Sequence, residues 1–230
     1  MTEPRAPSRN QDCFAPSRNQ DYPAGTGTTT KMADPAKSRA GTGTTTYGGI
    51  FERTEVRLAG EGGQGMILAG IILAEAAAVY GGQNAVQSQS YGPEARGGAS
   101  KSEVIISSGK IDHPEVLQPD VVVALSQEAF RKFASTVKPT GLLIVDADKV
   151  DSSSAPKAIR LPITKMAFET TGRIITANTV ALGVLVGLTG VVSRQALEKA
   201  IIARAPRGTE EMNHKALEAG FAAAEKVKKA

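Results

Sequence analysis

A glycine-rich run at residues 60–65 (GEGGQG) lies between a short apolar strand and an apolar helix. Glycines allow backbone conformations with positive φ and let a ligand approach the main chain closely. The first turn of the following helix adds unpaired N–H groups and the positive end of the helix dipole, which together favour a phosphate. The run therefore predicts an anion-binding turn. The alternative is a tight strand-to-helix turn that binds nothing.

The spacing of this run is close to the dinucleotide fingerprint GxGxxG. That fingerprint also requires an acidic residue about twenty residues further on, at the end of the second strand. Residues 81–88 contain neither Asp nor Glu. The sequence thus disfavours NAD, although a stand-alone nucleotide-binding protein of Rossmann type remains an alternative.

A second glycine-rich segment, residues 91–98 (YGPEARGG), follows about thirty residues downstream. An arginine flanked by glycines can present its guanidinium fork to a phosphate or a carboxylate without local crowding. Tyr91 has the shape to stack on a flat ring. The alternative is a solvated surface loop, but two such loops at one edge of a sheet favour a site for a large anionic ligand.

The elements that would position these loops alternate between strand and helix from residue 54 onward. Short apolar runs such as residues 120–124 are typical of central parallel strands. The alternation predicts an α/β fold, Rossmann-like, with a mostly parallel sheet and helices on both faces. We expect strands at 56–58, 84–88, 101–107, 120–124, 141–146 and 158–161, and helices at 66–79, 126–135, 162–168, 178–188, 193–205 and 209–228.

Residues 1–53 differ from the rest of the chain. The heptapeptides APSRNQD and AGTGTTT each occur twice there, and Pro, Gly, Ser and Thr dominate. Such a segment buries too little apolar surface to offset its ordering entropy, so we expect a disordered or partner-wrapping tail before a domain at 54–230. Met32 is an alternative start of the protein.

Composition disfavours several classes of function. The net charge of +4 arises from 27 basic and 23 acidic residues without a basic run, so nucleic-acid binding is not expected. Cys13 is the single cysteine, and no Cys/His spacing of the metal-binding type occurs, so neither zinc nor an iron–sulfur cluster is expected on this chain. Asp146 and Asp148 follow a strand, where a turn and cap are the expectation and a catalytic pair the alternative.

A membrane-spanning segment is also disfavoured. Residues 174–193 lack formal charge, but they include Asn178, threonines and glycines, so a buried helix is expected instead of a membrane span. The N-terminus lacks the apolar core of a signal peptide. We therefore expect a cytoplasmic protein.

Three motifs together carry a family resemblance: GEGGQG at 60–65, SYGPEARGGASKSEVIIS at 90–107 and ITANTVALGVLVGLTG at 175–190. Over residues 55–228 the chain resembles the gamma subunit, or gamma domain, of 2-oxoacid:ferredoxin oxidoreductases. YGPEARGG with the following SEV strand most resembles the 2-oxoglutarate branch. The 2-oxoisovalerate, pyruvate and indolepyruvate branches are the alternatives.

The resemblance implies a multisubunit enzyme that converts 2-oxoglutarate, coenzyme A and oxidised ferredoxin to succinyl-CoA, carbon dioxide and reduced ferredoxin. In that family thiamine diphosphate, Mg²⁺ and 4Fe–4S clusters are carried by thiamine-binding alpha/beta-type subunits and a ferredoxin-like subunit. The gamma subunit contributes to the coenzyme A site and to assembly, and it is not active alone. A purely structural subunit that binds no ligand is the alternative.

The resemblance also implies which residues face the ligand, none of them a catalytic base or nucleophile, because the cofactor performs the chemistry. For Asn178 a helix-capping role is the alternative. The implied coenzyme A residues are Gly62, Gly63, Gln64, Gly65, Tyr91, Gly92, Glu94, Arg96, Gly97, Gly98, Asn178 and Thr179.

Overall fold

The computed structural model describes residues 53–90 and 99–229, within which strands alternate with helices. The strands are β1 (Arg53–Glu61), β2 (Asn84–Ser90), β3 (Ala99–Ser107), β4 (Val121–Ala124), β5 (Leu142–Asp146) and β6 (Ile159–Leu161). The helices are α1 (Met66–Glu75), α2 (Gln127–Phe133), α3 (Ile163–Thr171), α4 (Ala177–Thr189), α5 (Arg194–Arg204) and α6 (Glu210–Lys229).

The described strands form one six-stranded sheet in the order β2-β3-β1-β4-β5-β6. β1, β4, β5 and β6 pair in parallel, whereas β3 runs antiparallel to both β1 and β2. A short connection between neighbouring strands requires this reversal, because parallel neighbours need a long crossover. The predicted α/β class with a mostly parallel sheet is confirmed.

Helices cover both faces of the sheet, as the alternating side chains of β1 illustrate. Val56 and Leu58 belong to a large core with α1, α3, α4, α5 and α6. Ala59 points to the opposite face, where it joins a smaller core that contains Phe130 of α2. Both faces of the central strands are therefore buried, which explains the continuous apolar runs of β4 and β5.

Helix α4 lies at the centre of the larger core, and every one of its residues except Gly187 is buried. It packs closely against α6 where Gly183 faces Gly220, because a Cβ on Gly220 would lie 2.9 Å from the Cα of Gly183. The uncharged segment at 174–193 thus contains a buried helix, as predicted, although Ile174 and Ile175 before this helix are exposed. Among residues 53–90 and 99–229, no helix is both long and apolar enough to span a bilayer.

The element boundaries differ from the sequence predictions at a few places. β1 is longer than predicted, because its edge residues pair with β3 along the whole strand. The helix predicted at 66–79 changes at Ala76 to a π-helical turn, Ala76–Tyr80. Ser126 and Ser193, the first residues of two predicted helices, are N-caps, because their hydroxyls accept hydrogen bonds from the N–H groups three residues on. The predicted tail lies outside the described residues, apart from Arg53, which begins β1.

Candidate functional site

The glycine loop joins β1 to α1 and leaves polar backbone groups open. Gly65 is the N-cap residue of α1 with a φ of 72°, and Gly63 has a φ of 93°, both in the left-handed region that favours glycine. Nothing lies within 4 Å of the position that a Cβ would occupy on Gly62 or Gly63. Among the described residues, none accepts a hydrogen bond from the N–H of Gly62 or Gly63. The first turn of α1 contains no acidic residue and has no side-chain cap.

The loop lies at a topological switch point of the sheet. β1 and β4 are parallel neighbours, but α1 packs on one face and α2 on the other. Open α/β sheets bind ligands in the crevice at such a point, outside the carboxyl ends of the strands. Gln64 joins the glycine loop to the end of β4 at this point, since its Nε2 donates to the carbonyl of Leu125, which follows β4, at 3.2 Å.

The ends of the second glycine segment lie beside the first. Ala99 pairs with Glu61 at the end of β1, and Ser90 pairs with Lys101. The Oγ of Ser100 donates to the carbonyl of Gly60 at 3.1 Å. The structure therefore brings the two residues that flank the second loop to the edge that carries the first. The implied ligand residues of the loop itself lie outside the described residues: Tyr91, Gly92, Glu94, Arg96, Gly97 and Gly98.

The intervening strand β3 further disfavours a dinucleotide site. In the Rossmann arrangement the strand that follows the first helix is the neighbour of β1. Here β3 separates β2 from β1, which moves the end of β2 to about 10 Å from β1 at the usual spacing of strands. An acidic residue at that end would lie one strand too far from the glycine loop to bind the ribose.

Asn178, near the start of α4, contacts the glycine loop, and Thr179 follows it on the same helix. The Nδ2 of Asn178 donates to the carbonyl of Gly65 at 3.4 Å, and both side chains are buried. The hydroxyl of Thr179 lies 3.1 Å from the Oδ1 of Asn213 on α6. The N-cap of α4 is Thr176, but the Oδ1 of Asn178 accepts the N–H of Thr179 at 2.8 Å and so satisfies one donor of the first turn. The structure thus brings the third predicted segment to the first.

A groove of about 350 Å³ runs from the glycine loop along the exposed side of α1. One end offers free N–H groups and a helix N-terminus, which suit an anion. The other end is apolar and suits an uncharged arm of the same ligand. Sequence reasoning missed the apolar part, because α1 is apolar on all sides and its pattern does not indicate an exposed side. Among the described residues, those that line the groove are Gly62, Gly63, Gly65, Met66, Ile67, Leu68, Ile71 and Ser100.

Charged side chains near this edge form ion pairs within the chain. Lys132, together with the N–H of Ala99, holds the pKa of the exposed Glu128 carboxyl below its ordinary value. Lys101 lies 3.0 Å from the Oε2 of Glu103. The Oε1 of the same Glu103 accepts a hydrogen bond from the Nε of Arg57 at 2.7 Å, so one carboxylate is shared by two cations.

Asp146, which lies outside the groove, has a structural role. Asp146 is fully buried, and its carboxylate accepts hydrogen bonds from the N–H groups of Asp148 and Thr164 at 3.1 and 2.8 Å. It therefore anchors the turn after β5 to α3. In the described part of the chain, no group of three or more His, Cys, Asp or Glu side chains is arranged to hold a metal ion.

Comparisons of sequence agree with the motifs. The family model for pyruvate ferredoxin/flavodoxin oxidoreductase matches residues 55–223. The 2-oxoglutarate synthase subunit KorC of Methanocaldococcus jannaschii is 49% identical over 179 residues, which are 76% of this chain and 96% of the relative. The ketoisovalerate oxidoreductase subunit VorA of Methanothermobacter thermautotrophicus is 39% identical over 144 residues, 61% of this chain and 30% of the relative.

Solved structures share the fold. The gamma subunit of a keto/oxoacid ferredoxin oxidoreductase from Geobacter sulfurreducens is 50% identical with a TM-score of 0.69, over 76% of this chain and 97% of the other. The 2-oxoglutarate:ferredoxin oxidoreductase from Magnetococcus marinus, solved with 2-oxoglutarate, coenzyme A and succinyl-CoA bound, is 26% identical with a TM-score of 0.69, over 78% of this chain and 32% of the other. Since the family model spans most of the chain and KorC is 49% identical over 76% of it, this chain belongs to the pyruvate ferredoxin/flavodoxin oxidoreductase family.

Proposed function

We propose that this chain is the gamma subunit of a 2-oxoacid:ferredoxin oxidoreductase and that it forms one wall of the coenzyme A site. The substrate that we propose is 2-oxoglutarate, oxidised with coenzyme A to succinyl-CoA and carbon dioxide while ferredoxin is reduced. The observation that carries the proposal is the open glycine loop at a switch point of the sheet, with free N–H groups beside an apolar groove. The 49% identity to a 2-oxoglutarate synthase subunit, against 39% to a ketoisovalerate enzyme, supports the substrate.

The chemistry of coenzyme A matches the two ends of the groove. Its pyrophosphate would accept hydrogen bonds from the N–H groups of Gly62 and Gly63 and from the first turn of α1. Its long pantetheine arm would lie along the apolar side chains of α1. The second glycine loop begins and ends at the same edge, so Arg96 would add a charge-assisted hydrogen bond to a phosphate oxygen.

The thiamine diphosphate, Mg²⁺ and 4Fe–4S clusters belong to partner subunits in this proposal, and ferredoxin is the electron acceptor. The chain corresponds to 32% of the Magnetococcus polypeptide and to 30% of VorA, so relatives carry this domain joined to further protein. That fusion supports a close association with other subunits. Three exposed apolar side chains next to the N-terminus of α4 support a docking face there: Phe168, Ile174 and Ile175. We further propose a cytoplasmic location, which fractionation of cells would test.

The experiment is reconstitution of the whole complex. The chain is co-expressed with its thiamine-binding and ferredoxin-like partners, and reduction of a viologen dye is measured with 2-oxoglutarate, 2-oxoisovalerate, pyruvate and indolepyruvate. We expect coenzyme A-dependent reduction with the highest kcat/KM for 2-oxoglutarate. A chain that stays monomeric beside these partners, or that binds NAD(P) tightly and coenzyme A not at all, would overturn the proposal.

One variant tests the ligand contact within that complex. Loss of a charge-assisted hydrogen bond to phosphate costs on the order of 2 kcal/mol, so Arg96→Ala should raise the KM for coenzyme A about thirtyfold. Arg131→Ala is the matched control, because Arg131 is an exposed arginine on α2 that does not line the groove. If Arg96→Ala prevents assembly and leaves the KM of the remaining complex unchanged, the subunit is structural only.

A further inference from the structure

Gln64 is the only residue of the loop 62–65 with a side chain, and that side chain is occupied within the protein. Its Oε1 accepts the N–H of Glu61 at 2.7 Å, and its Nε2 donates to the carbonyl of Leu125 at 3.2 Å. The backbone N–H of Gln64 also donates to the carbonyl of Glu61 at 3.2 Å. The amide therefore turns back toward the sheet, and Gln64 does not line the groove.

These contacts join the loop to two neighbouring strands. Glu61 ends β1, and Leu125 follows β4 and donates its own N–H to the carbonyl of Ala59 at 3.0 Å. A loop that is tethered at both strands keeps its free N–H groups at one position and one orientation. Preorganised donors bind an anion more tightly than mobile donors, because the loop loses less entropy when the ligand binds.

We infer that Gln64 is a positioning residue, which aims the N–H groups of Gly62 and Gly63 at the ligand without touching it. The inference rests on the proposed coenzyme A site. It attributes the fixed geometry of the loop to a glutamine that faces away from the ligand. In this respect Gln64 differs in role from its glycine neighbours.

Gly60 is coupled to Gln64 by steric contact. A Cβ on Gly60 would lie 2.4 Å from the Oε1 of Gln64 and 3.0 Å from the Cγ of Met66. Gly60 does not have a positive φ, so alanine there meets the glutamine without backbone strain. Gly60→Ala should therefore displace the side chain of Gln64 and have the same effect as removing that side chain.

The test uses the assembled complex and two readouts. Gln64→Ala should raise the KM for coenzyme A about tenfold and leave kcat and the KM for the 2-oxoacid unchanged. In the complex without coenzyme A, hydrogen exchange at the N–H of Glu61 should become faster, because that group has lost its acceptor. Gln64→Glu keeps an acceptor for Glu61 but loses the donor to Leu125, so it should keep this N–H protected. Its added carboxylate also repels a phosphate, so the KM for coenzyme A should rise in this variant as well. This variant also serves if Gln64→Ala fails to assemble.

Each outcome decides the role. An unchanged KM in Gln64→Ala would overturn the inference, and a raised KM with unchanged exchange at Glu61 would mean that Gln64 contacts the ligand directly. Gly60→Ala in the Gln64→Ala background should add no more than about a twofold change, and a multiplied effect would contradict the coupling. Gly62→Ala places a methyl in the groove and tests the site itself. If it leaves the KM unchanged, the proposed coenzyme A site fails, whereas a change there without one in Gln64→Ala overturns the positioning role alone.

Discussion

Two alanine substitutions in one loop should separate folding from ligand binding. At Gly65 the residue has a φ of 72°, and a Cβ would lie 2.7 Å from the Nδ2 of Asn178. The left-handed backbone costs about 1–2 kcal/mol for a residue other than glycine, and displacing Asn178 removes a hydrogen bond of about 1 kcal/mol. We therefore expect Gly65→Ala to lower the free energy of unfolding by about 2–3 kcal/mol. For a chain of this size that corresponds to a fall in Tm of about 4–12 °C.

At Gly62 the same methyl group meets nothing within 4 Å, and the residue does not have a positive φ. We expect the free energy of unfolding of Gly62→Ala to stay within about 0.5 kcal/mol of the wild type. In the complex, however, its KM for coenzyme A should rise, because the methyl occupies the space in which we place the pyrophosphate. The two variants should thus show opposite profiles.

The assay is urea unfolding of the full chain followed by circular dichroism, together with steady-state kinetics of the assembled enzyme. The m-value should be unchanged in both variants, so that the shift in midpoint reports stability. Equal loss of stability in the two variants would refute the reading of the loop geometry. A normal KM in Gly62→Ala would refute the placement of the ligand.

Two further variants probe the helix packing and the docking face. Gly220→Ala should lower the free energy of unfolding by about 2 kcal/mol or more, as thermal unfolding would measure. Its Cβ would lie 2.3 Å from the carbonyl oxygen of Val180 on α4, and a backbone atom cannot move alone. Ile174→Asp combined with Ile175→Asp should weaken co-purification with the partner subunits without lowering Tm, since these side chains are 57% and 55% exposed; affinity capture of the complex measures it.

Controls decide both results. Gly187→Ala also crowds α4 against α6, but its Cβ would lie 2.6 Å from the Cβ of Ala224, a side chain. Ala224→Gly should therefore rescue Gly187→Ala and fail to rescue Gly220→Ala. For the docking face, Leu117→Asp alters another exposed apolar residue, 77% exposed, on the connection between β3 and β4. A normal yield of complex from the isoleucine variant would exclude this face from assembly.

Local patterns predicted most of the fold. The caps at Ser126 and Ser193 and the buried strand runs depend on neighbouring residues, so they can be read from the sequence. The position of β3 between β1 and β2 could not be predicted from the sequence, because strand order depends on pairing between distant segments. The loop at 60–65 was recognisable from its glycines, of which Gly63 and Gly65 have the positive φ that favours glycine.

The candidate site was harder to predict beyond the glycines. The contact of Asn178 with Gly65 joins residues 113 positions apart, and only the fold brings them together. The inward turn of Gln64 depends on the carbonyl of Leu125, which belongs to another strand connection. The apolar side of the groove could not be predicted, because it depends on which residues of α1 stay exposed once the helix packs on the sheet.

The most direct test of the coenzyme A site is hydrogen exchange of the assembled complex with and without coenzyme A. Within residues 62–68, the N–H groups of Gly62 and Gly63 donate to none of the described residues, and the first turn of α1 has no side-chain cap. We predict that saturating coenzyme A slows exchange in the peptide that covers these residues and that NAD at the same concentration does not. Unchanged exchange in this peptide, in a complex that turns over coenzyme A, would contradict the account.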